Sequence, residues 1–161
     1  MRTAIFFALL STTIAAQSAP TLGFRGQKKA LHATVTAGPE HLGVAPGVKA
    51  MLFIDVTPNP NIHVYAPGAK DYIPISVKFE PQTNVKVGKL TYPKSEMMTL
   101  LDEKVPVFQK PFRLMQEITV MGSLNAGATV PVKGVVEWQA CDDKVCYAPE
   151  STEVNWTLAV K

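Results

Sequence analysis

Two cysteines are present in the 161-residue sequence, five positions apart, in the segment Trp138-Gln-Ala-Cys141-Asp-Asp-Lys-Val-Cys146-Tyr-Ala-Pro149. A thiol pair at this spacing can make and break a disulfide by exchange with another dithiol. As a folding staple it offers little, because the entropic gain from a bridge grows with the logarithm of the ring it closes. Spacing alone leaves a second reading open, in which the bridge only stiffens a hairpin and never reacts.

The side chains around the pair set its reactivity. Asp142 and Asp143 follow Cys141 directly, and Lys144 stands beside them. Carboxylates near a thiol disfavour the thiolate, whereas an ammonium favours it. Two acids against one base imply thiols that are not strongly activated at rest and that exchange when a docked partner changes their surroundings. Tyr147, Trp138 and Tyr65 are candidates to line the site, as aromatic residues often do at protein contacts. For Trp138 a place in the ordinary core is an equal alternative.

Other chemistries find less support. A blue-copper site needs His and Met shortly after its Cys, and neither type occurs after Cys146. A looser copper site from His63, Met97 and Met98 competes with the ordinary use of Met as core filler. No Gly-x-Ser-x-Gly elbow, phosphate-cradling glycine loop or metalloprotease histidine pair occurs. No metal and no cofactor are expected.

The elements that must position the cysteines read as strands. Runs with period-two alternation or β-branched enrichment span Leu31 to Thr36, Val48 to Val56, Ile62 to Tyr65, Ile73 to Phe79 and Val85 to Thr91. Further runs are Val105 to Phe108, Phe112 to Met121, Val130 to Gln139 and Val154 to Val160. The second run alternates most strongly, through Val48, Ala50, Leu52, Ile54 and Val56. Met51 and Phe53 make its other face partly apolar, which predicts a central strand covered on both sides. The last two runs place Cys141 and Cys146 on a hairpin, near enough for a bridge.

Frequent prolines suit strand edges and turns, and no run offers a helix of normal length. Eight or nine short strands without helices predict an all-β, immunoglobulin-like antiparallel β-sandwich, with a barrel as the alternative.

The first residues read as an export signal, residues 1–19, with Arg2 as the positive start, Ala4 to Leu10 as the apolar run and a small-residue stretch to Ala19. Residues 20–28 read as a flexible lead-in, and 29–161 as one domain long enough to bury its own core. Loss of Arg2 leaves fifteen basic against thirteen acidic residues. That balance, with scattered rather than clustered basic residues, argues against nucleic acid as a partner. No later run is long enough to span a membrane. Export would place the cysteines in an oxidising compartment, where a close pair is bonded unless something reduces it.

The segment Cys141-Asp-Asp-Lys-Val-Cys146-Tyr-Ala-Pro149, preceded by Glu137-Trp138-Gln139, resembles the N-terminal periplasmic domain of the DsbD family of thiol:disulfide interchange proteins. Asn61-Ile-His-Val-Tyr-Ala-Pro67 is similar to a Trp-His-Ile-Tyr-Ser-Pro signature of the same domain, with Ile62 in place of Trp. The two motifs lie about seventy-five residues apart in the expected order, and the likeness covers most of residues 29–161.

The resemblance implies a periplasmic immunoglobulin-like sandwich and a protein-disulfide reductase activity. Its cysteine pair would take electrons from a membrane donor of DsbD type or a thioredoxin-like protein. It would pass them to a disulfide isomerase or a cytochrome c maturation factor. The resemblance also implies that Cys146, the residue before Tyr-x-Pro, attacks the partner. The family's cap loop, which shields the cysteines with an aromatic residue, corresponds to Met97 to Glu103, where Leu101 would take the shielding role. The sequence ends at Lys161 and carries no Cys-x-x-Cys, so the electron donor is expected on another polypeptide. A non-catalytic immunoglobulin-like binding module with a structural hairpin disulfide is the rival reading.

Overall fold

The computed structural model describes residues 28–39, 41–100 and 102–161. The expected export signal, all of the lead-in except Lys28, and Leu101 lie outside the described residues. Thirteen strands occur among them. In chain order these are β1 (Lys28–Lys29), β2 (Ala33–Gly38), β3 (His41–Val44), β4 (Lys49–Pro58), β5 (His63–Tyr65), β6 (Ser76–Phe79) and β7 (Val85–Thr91). They continue with β8 (Glu96–Leu100), β9 (Glu103–Phe108), β10 (Phe112–Val120), β11 (Thr129–Trp138), β12 (Ala140–Cys141) and β13 (Glu150–Val160). No helix occurs among the described residues.

The strands form three sheets, ordered β1-β2-β4-β10-β7, β3-β13-β11-β6 and β12-β5-β9-β8. Pairing is antiparallel except between β3 and β13, which run parallel. The first two sheets face each other in an immunoglobulin-like sandwich, because alternate residues of both are apolar. Val35, Leu52, Ile54, Leu114 and Ile118 of the first sheet and Val132, Val136, Trp138, Trp156 and Leu158 of the second join one buried cluster.

The β4 strand is central in its sheet, between β2 and β10. Its outer face is nevertheless open, which corrects the expectation of cover on both sides. Met51 and Phe53 are half-buried, and the guanidinium of Arg113 lies 5.0 Å above the Phe53 ring. Val48 precedes the strand and is exposed, because the backbone turns there before β4 begins.

The third sheet is the platform for the cysteines. Its short strand β5 is buried at all three positions, His63, Val64 and Tyr65. Val64 pairs with Ala140 on one side and Phe108 on the other, and these three side chains belong to the main core. Side chains alternate along a strand, so His63 and Tyr65 point the opposite way. Tyr65 there joins Val105, Val107 and Cys141 in a second, smaller apolar cluster. The sheet thus separates the sandwich core from a small core of its own, and the cysteine site sits in the latter.

Candidate functional site

The connection from β11 to β13 carries the cysteines. After Trp138 the chain leaves β13 and pairs Ala140 and Cys141 with Val64 and His63 of β5. Gln139 fixes this departure: its amide donates to the Ile73 carbonyl at 3.3 Å, and its side chain accepts from the Ile73 amide at 3.2 Å and donates to the Tyr147 carbonyl at 3.3 Å. Cys141 and Cys146 are joined by a disulfide with their Cα atoms 4.1 Å apart. Cys141 is buried, at 1% exposure, whereas Cys146 is exposed. The bridge therefore presents one side to solvent and keeps the other inside.

Between the cysteines, Asp142 organises the turn. Its Oδ1 accepts from the amides of Lys144 at 2.7 Å and Val145 at 2.8 Å, and its Oδ2 accepts from the Tyr147 hydroxyl at 2.7 Å. An aspartate bonding the backbone two and three residues on is a recurrent way of closing a turn. These bonds, Tyr147 first, pull the Asp142 carboxyl down to about 2. The same bond raises the Tyr147 hydroxyl above its ordinary value. Tyr147 is supported from behind by the His32 ring, stacked at 3.8 Å, and His32 Nδ1 is in turn hydrogen-bonded to the Glu150 carboxylate.

Tyr65 reaches the sulfurs from below. Its hydroxyl lies 3.1 Å from Cys141 Sγ and 3.4 Å from Cys146 Sγ. Its ring is stacked on Tyr72 at 4.1 Å. Burial first, and Tyr72 second, push the Tyr65 hydroxyl up to about 12, so it stays protonated and can donate. Beside it stands His63, 1% exposed, edge-on to the Tyr65 ring at 5.4 Å. Burial lowers its pKa, opposed by the charges of Asp143 and Asp142.

These groups line a groove of about 310 Å³, closed on its far side by Thr99 and Leu100 and rimmed by Asp143, Lys144 and Val145. The segment expected as a loop over the cysteines is thus a hairpin, β8 and β9, with Asp102 in its turn at φ 68°. Backbone pairing rather than a free cap carries Thr99 and Leu100 to the groove.

Of the residues expected at the site, Cys141, Cys146, Asp142, Asp143, Lys144 and Tyr65 line the groove together. Tyr147 does not; it holds the turn through Asp142. Trp138 belongs to the main core and is fully buried, its indole nitrogen without a hydrogen-bond partner among the described residues. Met97 and Met98 are neighbours on β8 and so point to opposite faces, which separates the ligands of the looser copper site. No cluster of three or more His, Cys, Asp or Glu suited to a metal occurs among the described residues. His63 and Tyr72 were missing from the expected site. The first was visible as a polar residue inside the apolar run from Ile62 to Tyr65; the second, in a polar turn, carried no signal.

The fold and the site define an immunoglobulin-like domain that carries a cysteine pair in a groove beside the sandwich. More specifically, the chain belongs to the family of the thiol:disulfide interchange protein DsbD, N-terminal, whose model matches residues 27–158. Among solved structures it is similar to the N-terminal periplasmic domain of ScsB from Proteus mirabilis, with 14% identity and a TM-score of 0.61. That match covers 83% of this chain and 50% of the other, so the chain spans half the length of the ScsB domain. It is also similar to the DsbD N-terminal domain of Neisseria meningitidis in the reduced form, with 19% identity, a TM-score of 0.46, and coverage of 65% of this chain and 74% of that one. No curated protein matches by sequence. Family membership and the cysteine pair together point to thiol–disulfide exchange as the class of chemistry. Among the described residues no helix is long and apolar enough to cross a membrane.

Proposed function

We propose that the protein is a periplasmic thiol:disulfide exchange module that relays electrons through Cys141 and Cys146. The carrying observation is the asymmetry of the bridge: Cys146 is exposed at the groove mouth, Cys141 is buried, and one tyrosine hydroxyl lies against both sulfurs. Exchange needs a sulfur that a partner thiolate can reach in line with the bond it breaks, and a second sulfur held close enough to resolve the mixed disulfide. The short ring supports the same reading, since four intervening residues make a weak staple.

Oxidised, the domain accepts two electrons from a donor dithiol. The donor thiolate attacks one sulfur, the other leaves as a thiolate, and the donor's second thiol completes the transfer. A membrane donor of DsbD type or a thioredoxin-like protein fits this role. Reduced, the domain passes the pair on. Cys146 attacks the acceptor disulfide and Cys141 resolves the intermediate. A disulfide isomerase or a cytochrome c maturation factor is the acceptor that family membership favours. In this reading Asp142 and Tyr147 hold the turn, Asp143 and Lys144 set the local charge, and half-exposed Val145 gives the partner an apolar contact.

Trapping tests the reading. Cys141→Ala retains the attacking thiol and should accumulate mixed disulfides with a thioredoxin-fold acceptor. Cys146→Ala should not. Equal trapping by both variants, or by neither, would contradict the assignment.

A further inference from the structure

We propose that His63 is the proton acceptor for Cys141, taking the thiol proton of the buried cysteine when the reduced pair resolves its mixed disulfide. The proposal rests on the reading above, in which Cys146 attacks and Cys141 resolves.

The pairing of β5 with β12 sets His63 directly opposite Cys141. Directly opposed residues of an antiparallel pair share a face, with Cβ atoms about 4.5–5.5 Å apart. Both are 1% exposed, so water has little access to either. His63 Nε2 is buried and has no hydrogen-bond partner among the described residues. Native proteins seldom leave a buried polar nitrogen unpaired without a use for it.

The oxidised bridge explains the orphan. While the two sulfurs are joined, neither carries a proton and the nitrogen has nothing to accept. Reduction places an S–H on Cys141, on the same face as the vacant imidazole nitrogen. A buried thiol is a weak nucleophile until its proton leaves, since the thiolate attacks. Tyr65 can donate to the resulting thiolate but, as a hydroxyl that stays protonated, cannot take the proton from it.

The titratable groups facing His63 favour this role. Tyr65 and Tyr72 stand on its own side of the groove, and Asp142, Asp143 and Lys144 come from the cysteine loop. Thr99 and Leu100, from β8 of the same sheet, bring no charge. Burial keeps the imidazole neutral and ready to accept, while Asp143 and Asp142 favour the imidazolium formed in passing.

The steps balance. The Cys146 thiolate attacks the acceptor disulfide, forming a bond to one acceptor sulfur and releasing the other as a thiolate. His63 takes the Cys141 proton, and the Cys141 thiolate attacks Cys146 Sγ. The Sγ–Sγ bond reforms and the second acceptor sulfur leaves as a thiolate. Two electrons pass to the acceptor, and the imidazolium returns its proton to the departing thiolate or to solvent.

The test is stopped-flow reaction of the reduced protein with dithiobis-nitrobenzoate, in which attack releases one thionitrobenzoate and resolution releases the second. The ratio of second-phase to first-phase rate at neutral pH should fall about 100-fold in His63→Asn, the scale of general-base catalysis. In the wild type the second phase should slow as pH falls through the imidazole titration, and in His63→Asn that inflection should vanish. An unchanged ratio, or a slowed second phase that keeps the wild-type pH profile, overturns the proposal. Should His63→Asn fail to fold, the wild-type profile decides alone, and the absence of an imidazole inflection overturns it. Reaction of Cys146→Ala faster than Cys141→Ala would instead overturn the proposed order of attack, Cys146 first and Cys141 second.

Discussion

The hydroxyl of Tyr65 lies 3.1 Å from Cys141 Sγ, so the buried half of the bridge has a protonated donor in contact with it. A neutral disulfide gains little from such a contact. A thiolate gains much more, because hydrogen bonds to charged groups contribute about 1.5–3 kcal/mol against about 1 kcal/mol for neutral ones. Tyr65→Phe keeps the ring and its stack on Tyr72 while removing the donor. The Cys141 thiol pKa should therefore rise by about 1–2 units. Ultraviolet thiolate absorbance of the reduced Cys146→Ala protein, with and without Tyr65→Phe, measures it; an unchanged pKa would show that the hydroxyl does not solvate the sulfur.

Asp142 gives a pH dependence whose sign follows from its bonds. Its folded value is about 2 against an ordinary 3.8, so the turn it closes is fully held above 3.8 and is released as pH falls through about 2. The amide resonances of Lys144 and Val145 should accordingly titrate near pH 2 in the oxidised protein. Titration at the ordinary carboxylate value would mean that the three hydrogen bonds do not form in solution. Asp142→Ala should free the turn and speed exchange of the bridge with glutathione several-fold.

The stabilities of core and bridge should separate clearly. Trp138 is fully buried between the two main sheets, and truncating such a side chain costs about 3–5 kcal/mol. Removing a bridge around four intervening residues should cost only about 2 kcal/mol on the loop-entropy scale. Urea unfolding of Trp138→Ala, of the reduced protein and of the oxidised wild type compares them. A larger loss on reduction than on truncation of Trp138 would favour a structural bridge.

The strands were legible where one face is buried and the other wet. Phe112–Val120 alternates in this way and differs from its run by one residue at its end; Val85–Thr91 coincides with its run although only Val85 is fully buried. β13 begins at Glu150, four residues before its apolar run, because exposed Ser151 and Glu153 alternate with half-buried Glu150 and buried Thr152, whose polar side chains show no apolar pattern. Four strands escaped notice, and two of them, Lys28–Lys29 and Ala140–Cys141, are only two residues long and too short to show a pattern. His41–Val44 is short, contains Gly43 and is made by long-range parallel pairing with β13, which local pattern cannot signal. Glu96–Leu100 has adjacent methionines in place of alternation and is an edge strand.

The site was legible in its cysteines and in the tyrosine of the Asn61 to Pro67 motif. Its environment was not, because the groove arises from the pairing of His63 with Cys141, which are far apart in the chain. Nothing local to Asp142 distinguished a carboxylate that restrains a thiol from one that closes a turn. The partner of its Oδ2, the Tyr147 hydroxyl, is what identifies the second role.

The central claim is that the bridge between Cys141 and Cys146 turns over. Its reduction potential, measured by equilibrating the protein with defined dithiol and glutathione buffers and with a thioredoxin-like donor, tests this directly. An exchange module should titrate above about −300 mV and be reduced by the donor within the time of mixing experiments. A potential below about −300 mV, with no reduction by the donor, would make the bridge a structural staple and contradict the account.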